Sequence, residues 1–102
     1  MDRGAQVHVT NRYGCTPVNA AAVSGHTEVV KLLVEKGADI TMATNNSWTP
    51  VNSAANHGHL EVVEFLVEKG ADITVANNNN GWTPVYSAAD DGGLEEVKFL
   101  AE

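Results

Sequence analysis

The chain has 102 residues, 43% of them hydrophobic, with 6 Lys+Arg against 13 Asp+Glu and a net charge of −7 at pH 7. That size and composition suit one modest folded domain and argue against disorder, and the acidic field repels phosphate, which argues against nucleic acid and anionic membrane as partners and favours a protein with a basic or mixed-charge surface. No apolar run nears the roughly 18 residues of a membrane span, 1–10 holds no apolar signal-peptide core, and Cys15 is the only cysteine, so a reducing compartment is expected, cytoplasmic or nuclear.

In chain order, Gly4-Ala5-Gln6-Val7 reads as the tail of a helical unit, because it matches Gly37-Ala38-Asp39-Ile40 one period later. A helix start is predicted at Thr16-Pro17, with the threonine as N-cap and the proline in the first helical position, where its missing N–H costs nothing. The helix runs through Ala20-Ala21-Ala22, whose small side chains let another helix approach closely, and Gly25 ends it. A second helix is expected over about 27–36. Its apolar residues Val29, Val30, Leu32, Leu33 and Val34 cover more than one face, so it needs neighbours on several sides, while Glu28, Lys31 and Glu35 form a solvated stripe. Gly37 closes it, and 38–48 is a polar, Asn-rich connector suited to tight turns.

The series then recurs. Thr49-Pro50-Val51-Asn52 leads through Ser53-Ala54-Ala55 and Gly58 to a second helix carrying Val62, Val63, Phe65 and Leu66, closed by Gly70. Thr83-Pro84-Val85-Tyr86 leads through Ser87-Ala88-Ala89 and Gly92 to Leu94-Glu95-Glu96-Val97-Lys98-Phe99-Leu100. The Thr-Pro steps are spaced by 33 and then 34 residues, and the extra residue, in the run Asn77-Asn78-Asn79-Asn80, lengthens one turn tip. Self-similarity at such a period means stacked units that bury a continuous core between neighbours. The core predicted from it is Ala21, Leu32, Leu33, Ala54, Val63, Leu66 and Ala88. The third copy is more polar, with Asp90, Asp91, Gly93 and Glu96 in place of Asn56, His57, His59 and Val62, either as partial capping or as partner-specific surface. It stops inside its second helix, so the chain reads as part of a longer array, with Val97, Phe99 and Leu100 partly exposed and end-to-end self-association as the consequence.

The pattern G-x-T-P…A-A…G-H-x-E-V-V-x-L-L…G-A-D resembles the ankyrin repeat, in several features held in register from about Gly4 to Glu102. The resemblance implies an all-α, ankyrin-type solenoid of stacked helix–turn–helix repeats with protruding turns. It implies a single domain over 1–102, divided into a remnant of a preceding repeat at 1–10, repeats at 11–43 and 44–76, and a truncated third at 77–102. Departures are the Val-Asn pairs Val18-Asn19 and Val51-Asn52 and the Val85-Tyr86 pair where the family carries Leu-His. Thr41 and Thr74 stand where many ankyrin repeats carry Asn, which argues against asparagine hydroxylation there.

The resemblance further implies a protein–protein interaction module whose concave binding face is made by the turn tips and the exposed side of the first helices. Carried onto this chain, the tips are Arg12, Tyr13 and Cys15, then Asn45, Asn46 and Trp48, then Asn79, Asn80 and Trp82. The first-helix positions are Val23 and Ser24, Asn56 and His57, Asp90 and Asp91. Repetition places equivalent positions in a row, so Trp48 and Trp82 line up with Cys15. The tryptophans read either as interface anchors or as rings packed on their own turns. His57 and His59 straddle a glycine with no metal-ligand spacing, and no nucleophile elbow, phosphate loop or paired-carboxylate geometry is present, so neither metal, cofactor nor enzyme activity is expected. A spacer segment of a longer array and an engineered ankyrin binder are the alternative readings.

Overall fold

The computed structural model describes residues 7–78 and 81–101. Among these residues it contains six helices and no strand: α1 (Pro17–Ser24), α2 (Thr27–Glu35), α3 (Pro50–Asn56), α4 (Leu60–Glu68), α5 (Pro84–Asp91) and α6 (Leu94–Ala101). They form three antiparallel pairs. Each first helix starts as its sequence dictates: the hydroxyls of Thr16, Thr49 and Thr83 accept from the N–H groups of Asn19, Asn52 and Tyr86, and proline follows. Gly25 and Gly92 close α1 and α5 in the left-handed conformation, whereas α3 ends at Asn56 with His57 as its cap and Gly58 one residue beyond. The second helices run to Lys36 and Lys69 as C-caps, each followed by a glycine.

The first helices α1, α3 and α5 pack side by side in one layer, and α2, α4 and α6 form a looser outer layer behind them. Ala21, Ala22, Ala54, Ala55 and Ala88 fill the tight seam of the inner layer with Val18 and Val51, and Val30, Val62, Val63, Leu66 and Leu100 close the core from behind. The result is elongated, 44 × 25 × 20 Å.

Of the predicted core, Ala21, Ala54, Val63, Leu66 and Ala88 are buried and Leu33 is packed at its margin. Leu32 is a correction: it is 52% exposed, and Val29 beside it is 47% exposed. Their counterparts one period on are Phe65 and Val62. Phe65 lies beneath the Lys31 ammonium of α2 and Val62 is fully buried, so this face of a second helix looks toward the preceding pair. Among the described residues no helix lies on that side of α2. At the other end Leu100 is buried and Val97 and Phe99 are partly so, and the exposed large apolar residue of α6 is Leu94.

Two asparagines join the pairs. Asn19 donates its amide to the Trp48 carbonyl at 2.7 Å and accepts the Ser53 hydroxyl at 2.9 Å. Asn52 repeats the arrangement, donating to the Trp82 carbonyl at 3.0 Å and accepting the Ser87 hydroxyl at 3.0 Å. All four side chains are buried, and the two Ser–Asn bonds are shut off from water, which leaves each group dependent on its partner. Tyr86, at the third position of the series, is exposed and lays its ring against Trp82, centroids 4.8 Å apart. Removing the Asn52 amide strands the buried Ser87 hydroxyl, while the Trp82 carbonyl keeps the Asn77 N–H; at roughly 1–3 kcal/mol per unpaired buried group, Asn52→Ala is expected to lower stability by about 1–3 kcal/mol. Urea unfolding checks this, and a loss within the scatter of surface substitutions would show that the clasp is not what joins the pairs.

Candidate functional site

The turns before each first helix project as three tips built on one plan. Asn11, Thr44 and Asn77 each donate their N–H to the carbonyl that ends the tip, at Cys15 (3.1 Å), Trp48 (3.0 Å) and Trp82 (3.0 Å). The inner closure runs from Gly14 to Asn11 and from Ser47 to Thr44, but from Gly81 to Asn77, so the inserted residue widens the third turn by one position. Side chains reinforce the plan: the Asn11 carboxamide accepts the N–H groups of Tyr13 and Cys15, and the Thr44 hydroxyl accepts that of Trp48. The shared position at 14, 47 and 81 requires positive φ, held at 75° by Gly14 and 74° by Gly81, while Ser47 is forced to 65°. That conformation is costly for any residue with a Cβ.

The tips are also tied to each other. Asn45 donates its N–H to Tyr13 O (2.9 Å) and its amide to Arg12 O (3.1 Å), and Asn78 donates its N–H to Asn46 O (2.8 Å). At Gly14 a Cβ would sit 2.6 Å from the Asn45 carboxamide oxygen, so the first two tips lie as close as glycine permits. Arg12 and Tyr13 are exposed at the first tip, the guanidinium 5.2 Å from the ring centre.

Five of the residues expected in the binding face share one pocket. Cys15, Val23, Trp48, Asn56 and His57 line a cavity of about 220 Å³ between the first and second pairs, open to the tip side of the first helices. Burial holds the Cys15 thiol above its usual pKa, which keeps it protonated, and it donates to Thr16 O. His57 Nδ1 donates to Ser53 O at 2.9 Å, which holds the ring at the pocket. Ser24 and Asn46 are exposed outside this pocket, and so are Asp90 and Asp91 at the end of α5. Asn79 and Asn80 lie outside the described residues. The rings of His57 and His59 stack 6.4 Å apart, and among the described residues no three His, Cys, Asp or Glu side chains converge as a metal site would require.

The two joints between pairs differ at the base of the stack. In the first, the His59 ring covers Gly25 and its Nε2 donates to Val23 O at 2.9 Å. In the second, the residue at the His59 position is Gly93, and carboxylates fill the space: a Cβ on Gly58 would lie 2.7 Å from Asp91 Oδ2 and 3.6 Å from Glu96 Oε1. Glu96 holds the register position of Val62 and is buried, only 3% exposed, with no hydrogen-bond partner for Oε2. Its expected surface role is therefore corrected. Burial, and then the neighbouring Asp91 charge, push its pKa from 4.5 up to about 7. The sequence did carry a signal, a charged residue on an otherwise apolar register. The Asn–Ser clasp was likewise signalled by Asn and Ser recurring in step. Neither signal by itself tells burial from exposure.

A family model of ankyrin repeats matches the chain, in three copies, over residues 1–77 and 44–102. A search of curated proteins finds no match.

Two outcomes follow from this geometry. Ser47→Gly relieves about 1–2 kcal/mol of left-handed strain but loosens the unfolded chain by about 0.4–1 kcal/mol, for a net gain of about 0.5–1 kcal/mol in urea unfolding; an unchanged or lower midpoint would mean that Ser47 makes compensating contacts. For Glu96 the folded pKa lies above the unfolded value, so its contribution is fully present below pH 4.5 and is lost as pH rises through about 7. Unfolding midpoints measured from pH 5 to 8 should fall more steeply in the wild type than in Glu96→Gln. Parallel profiles would exclude Glu96 as the source.

Proposed function

Because the chain belongs to the ankyrin-repeat family, we propose that it is a protein-binding module whose partner lies across the tips and first helices. Ankyrin repeats are in general protein–protein interaction modules, and the choice of face is the finer step. The observation that carries it is the pocket between the first two pairs, where residues 33 positions apart converge beside tips already fixed in a row by backbone hydrogen bonds. A face held rigid before binding loses little entropy on association. The proposed contact residues are Arg12, Tyr13, Cys15, Val23, Ser24, Asn45, Asn46, Trp48, Asn56, His57, Trp82, Asp90 and Asp91, with Asn79 and Asn80 completing the third tip. In this reading 1–102 acts as one ankyrin domain without cofactor, in the cytoplasm or nucleus, toward a partner of basic or mixed charge. No helix among the described residues is long and apolar enough to cross a membrane.

End-to-end association of copies is a second reading, favoured by the exposed Val29 and Leu32 on α2 and Leu94 on α6. Affinity capture with the chain as bait, repeated with Trp48→Ala and Trp82→Ala together, tests the main reading. The double variant should lose the captured partner while keeping its helical circular dichroism. Contacts mapped by cross-linking mainly to Glu28, Lys31 and Glu35 would move the interface to the second helices and overturn the assignment.

A further inference from the structure

Resting on that binding reading, we infer that the partner presents an extended segment in which a large apolar side chain is followed, about four residues on, by a lysine or arginine. The apolar group enters the pocket between Val23, Trp48 and His57. The cation meets Asp90 beside the Trp82–Tyr86 ring pair.

The pocket selects its occupant by what it withholds. Most polar groups around it are already engaged, the Asn56 carboxamide and His57 Nε2 excepted: Asn19 with Ser53 and Trp48 O, His57 Nδ1 with Ser53 O, the Thr44 hydroxyl with Trp48 N, and the Cys15 thiol with Thr16 O. A polar side chain entering here would surrender water and recover little, whereas an apolar one gains from burial against Trp48, Val23 and His57. A volume of about 220 Å³ has room for a side chain the size of leucine, methionine or phenylalanine.

One step further along the stack the same register changes character. Val23 of α1 is replaced by Asn56 in α3 and by Asp90 in α5. Tyr86 and Asp90 are four residues apart on α5, so both lie on one helix face, and both are exposed. The Tyr86 ring packs on Trp82 at 4.8 Å. This part of the face therefore offers aromatic rings beside a carboxylate, which suits an ammonium or guanidinium group. Among the described residues the lysine–carboxylate pairs are Lys31–Glu28 and Lys98–Glu95, so Asp90 is not paired with either lysine. The net charge of −7 adds a long-range pull in the same direction.

Spacing follows from the stack. Helices pack roughly 8–10 Å apart, so the pocket, midway between α1 and α3, lies about 12–15 Å from α5. An extended strand advances about 3.3 Å per residue, which places the cation about four residues from the apolar anchor.

The test is selection of a displayed random dodecapeptide library on the folded chain, followed by affinity measurement of the enriched peptides. Enriched sequences should share a large apolar residue and, about four positions away, Lys or Arg. Their affinity should fall about tenfold or more with Asp90→Lys, and exchanging the peptide lysine for glutamate should restore it. Asp90 is exposed, so this variant keeps the fold, which circular dichroism verifies. Val23→Asp should abolish binding of the same peptides. Enriched peptides that lack the apolar–basic pair, yet lose binding in the Trp48→Ala, Trp82→Ala double variant, would overturn this inference and leave the concave-face reading standing. Peptides indifferent to all these substitutions would overturn both. An absence of any enrichment would overturn the linear-segment inference alone, since capture of a folded partner tests the face independently.

Discussion

The carboxamides of Asn19 and Asn52 each serve two neighbours at once, and the spacing of the stack depends on that double service. Each amide donor holds the carbonyl of the tryptophan that precedes the next first helix, and each amide oxygen receives the serine hydroxyl one turn into that helix. A carbonyl and a hydroxyl on the next unit are thus positioned from one side chain. Alanine packing alone sets a close approach but tolerates sliding, because it is non-directional. Two hydrogen bonds of fixed geometry do not. With the helices indexed in this way, Cys15 and Trp48 come to line one pocket together with Val23, Asn56 and His57.

The same chain closes its two joints by different chemistry at the opposite end of the helices. Where the first joint uses an imidazole over Gly25 and an apolar Val62, the second has Gly93, Asp91 and the buried Glu96. Burial and then the Asp91 charge disfavour an ionised carboxylate there, and Oε2 has no hydrogen-bond partner, so the joint favours the protonated acid. Asp39 and Asp72 show the contrary case. Each accepts both the hydroxyl and the N–H of the threonine two residues on, and those bonds lower their pKa values. Burial without partners, against exposure with them, separates the two behaviours.

How far this could be read in advance depends on what a repeat period encodes. Thr16, Thr49 and Thr83 are local signals, each satisfied within its own turn, and they gave the helix starts directly. The period also identifies equivalent positions, so Cys15, Val23, Trp48, Asn56 and His57 could be grouped before any geometry was known. It does not say which side of a unit a position faces. Leu32 looked like core because its helix is apolar around much of its girth, yet it faces a side with no described helix. Glu96 looked like surface because it is charged, yet it faces α4's turn at Gly58. The clasp of Asn19 and Ser53 joins residues 34 apart, beyond the reach of any window centred on one helix.

The widened third tip shows where this architecture can absorb change. Between Asn77 and Gly81 the chain carries one residue more than its counterparts, and the inner closure lengthens accordingly. The Trp82 carbonyl nevertheless receives the Asn52 amide at 3.0 Å, against 2.7 Å at the unwidened tip. The disturbance dies out within the turn. The tips can thus change length while the carbonyl at their base keeps its tie to the rods they decorate, like interchangeable blades on a common handle. New recognition surfaces could be written there by insertion or deletion without reopening the question of how the chain folds.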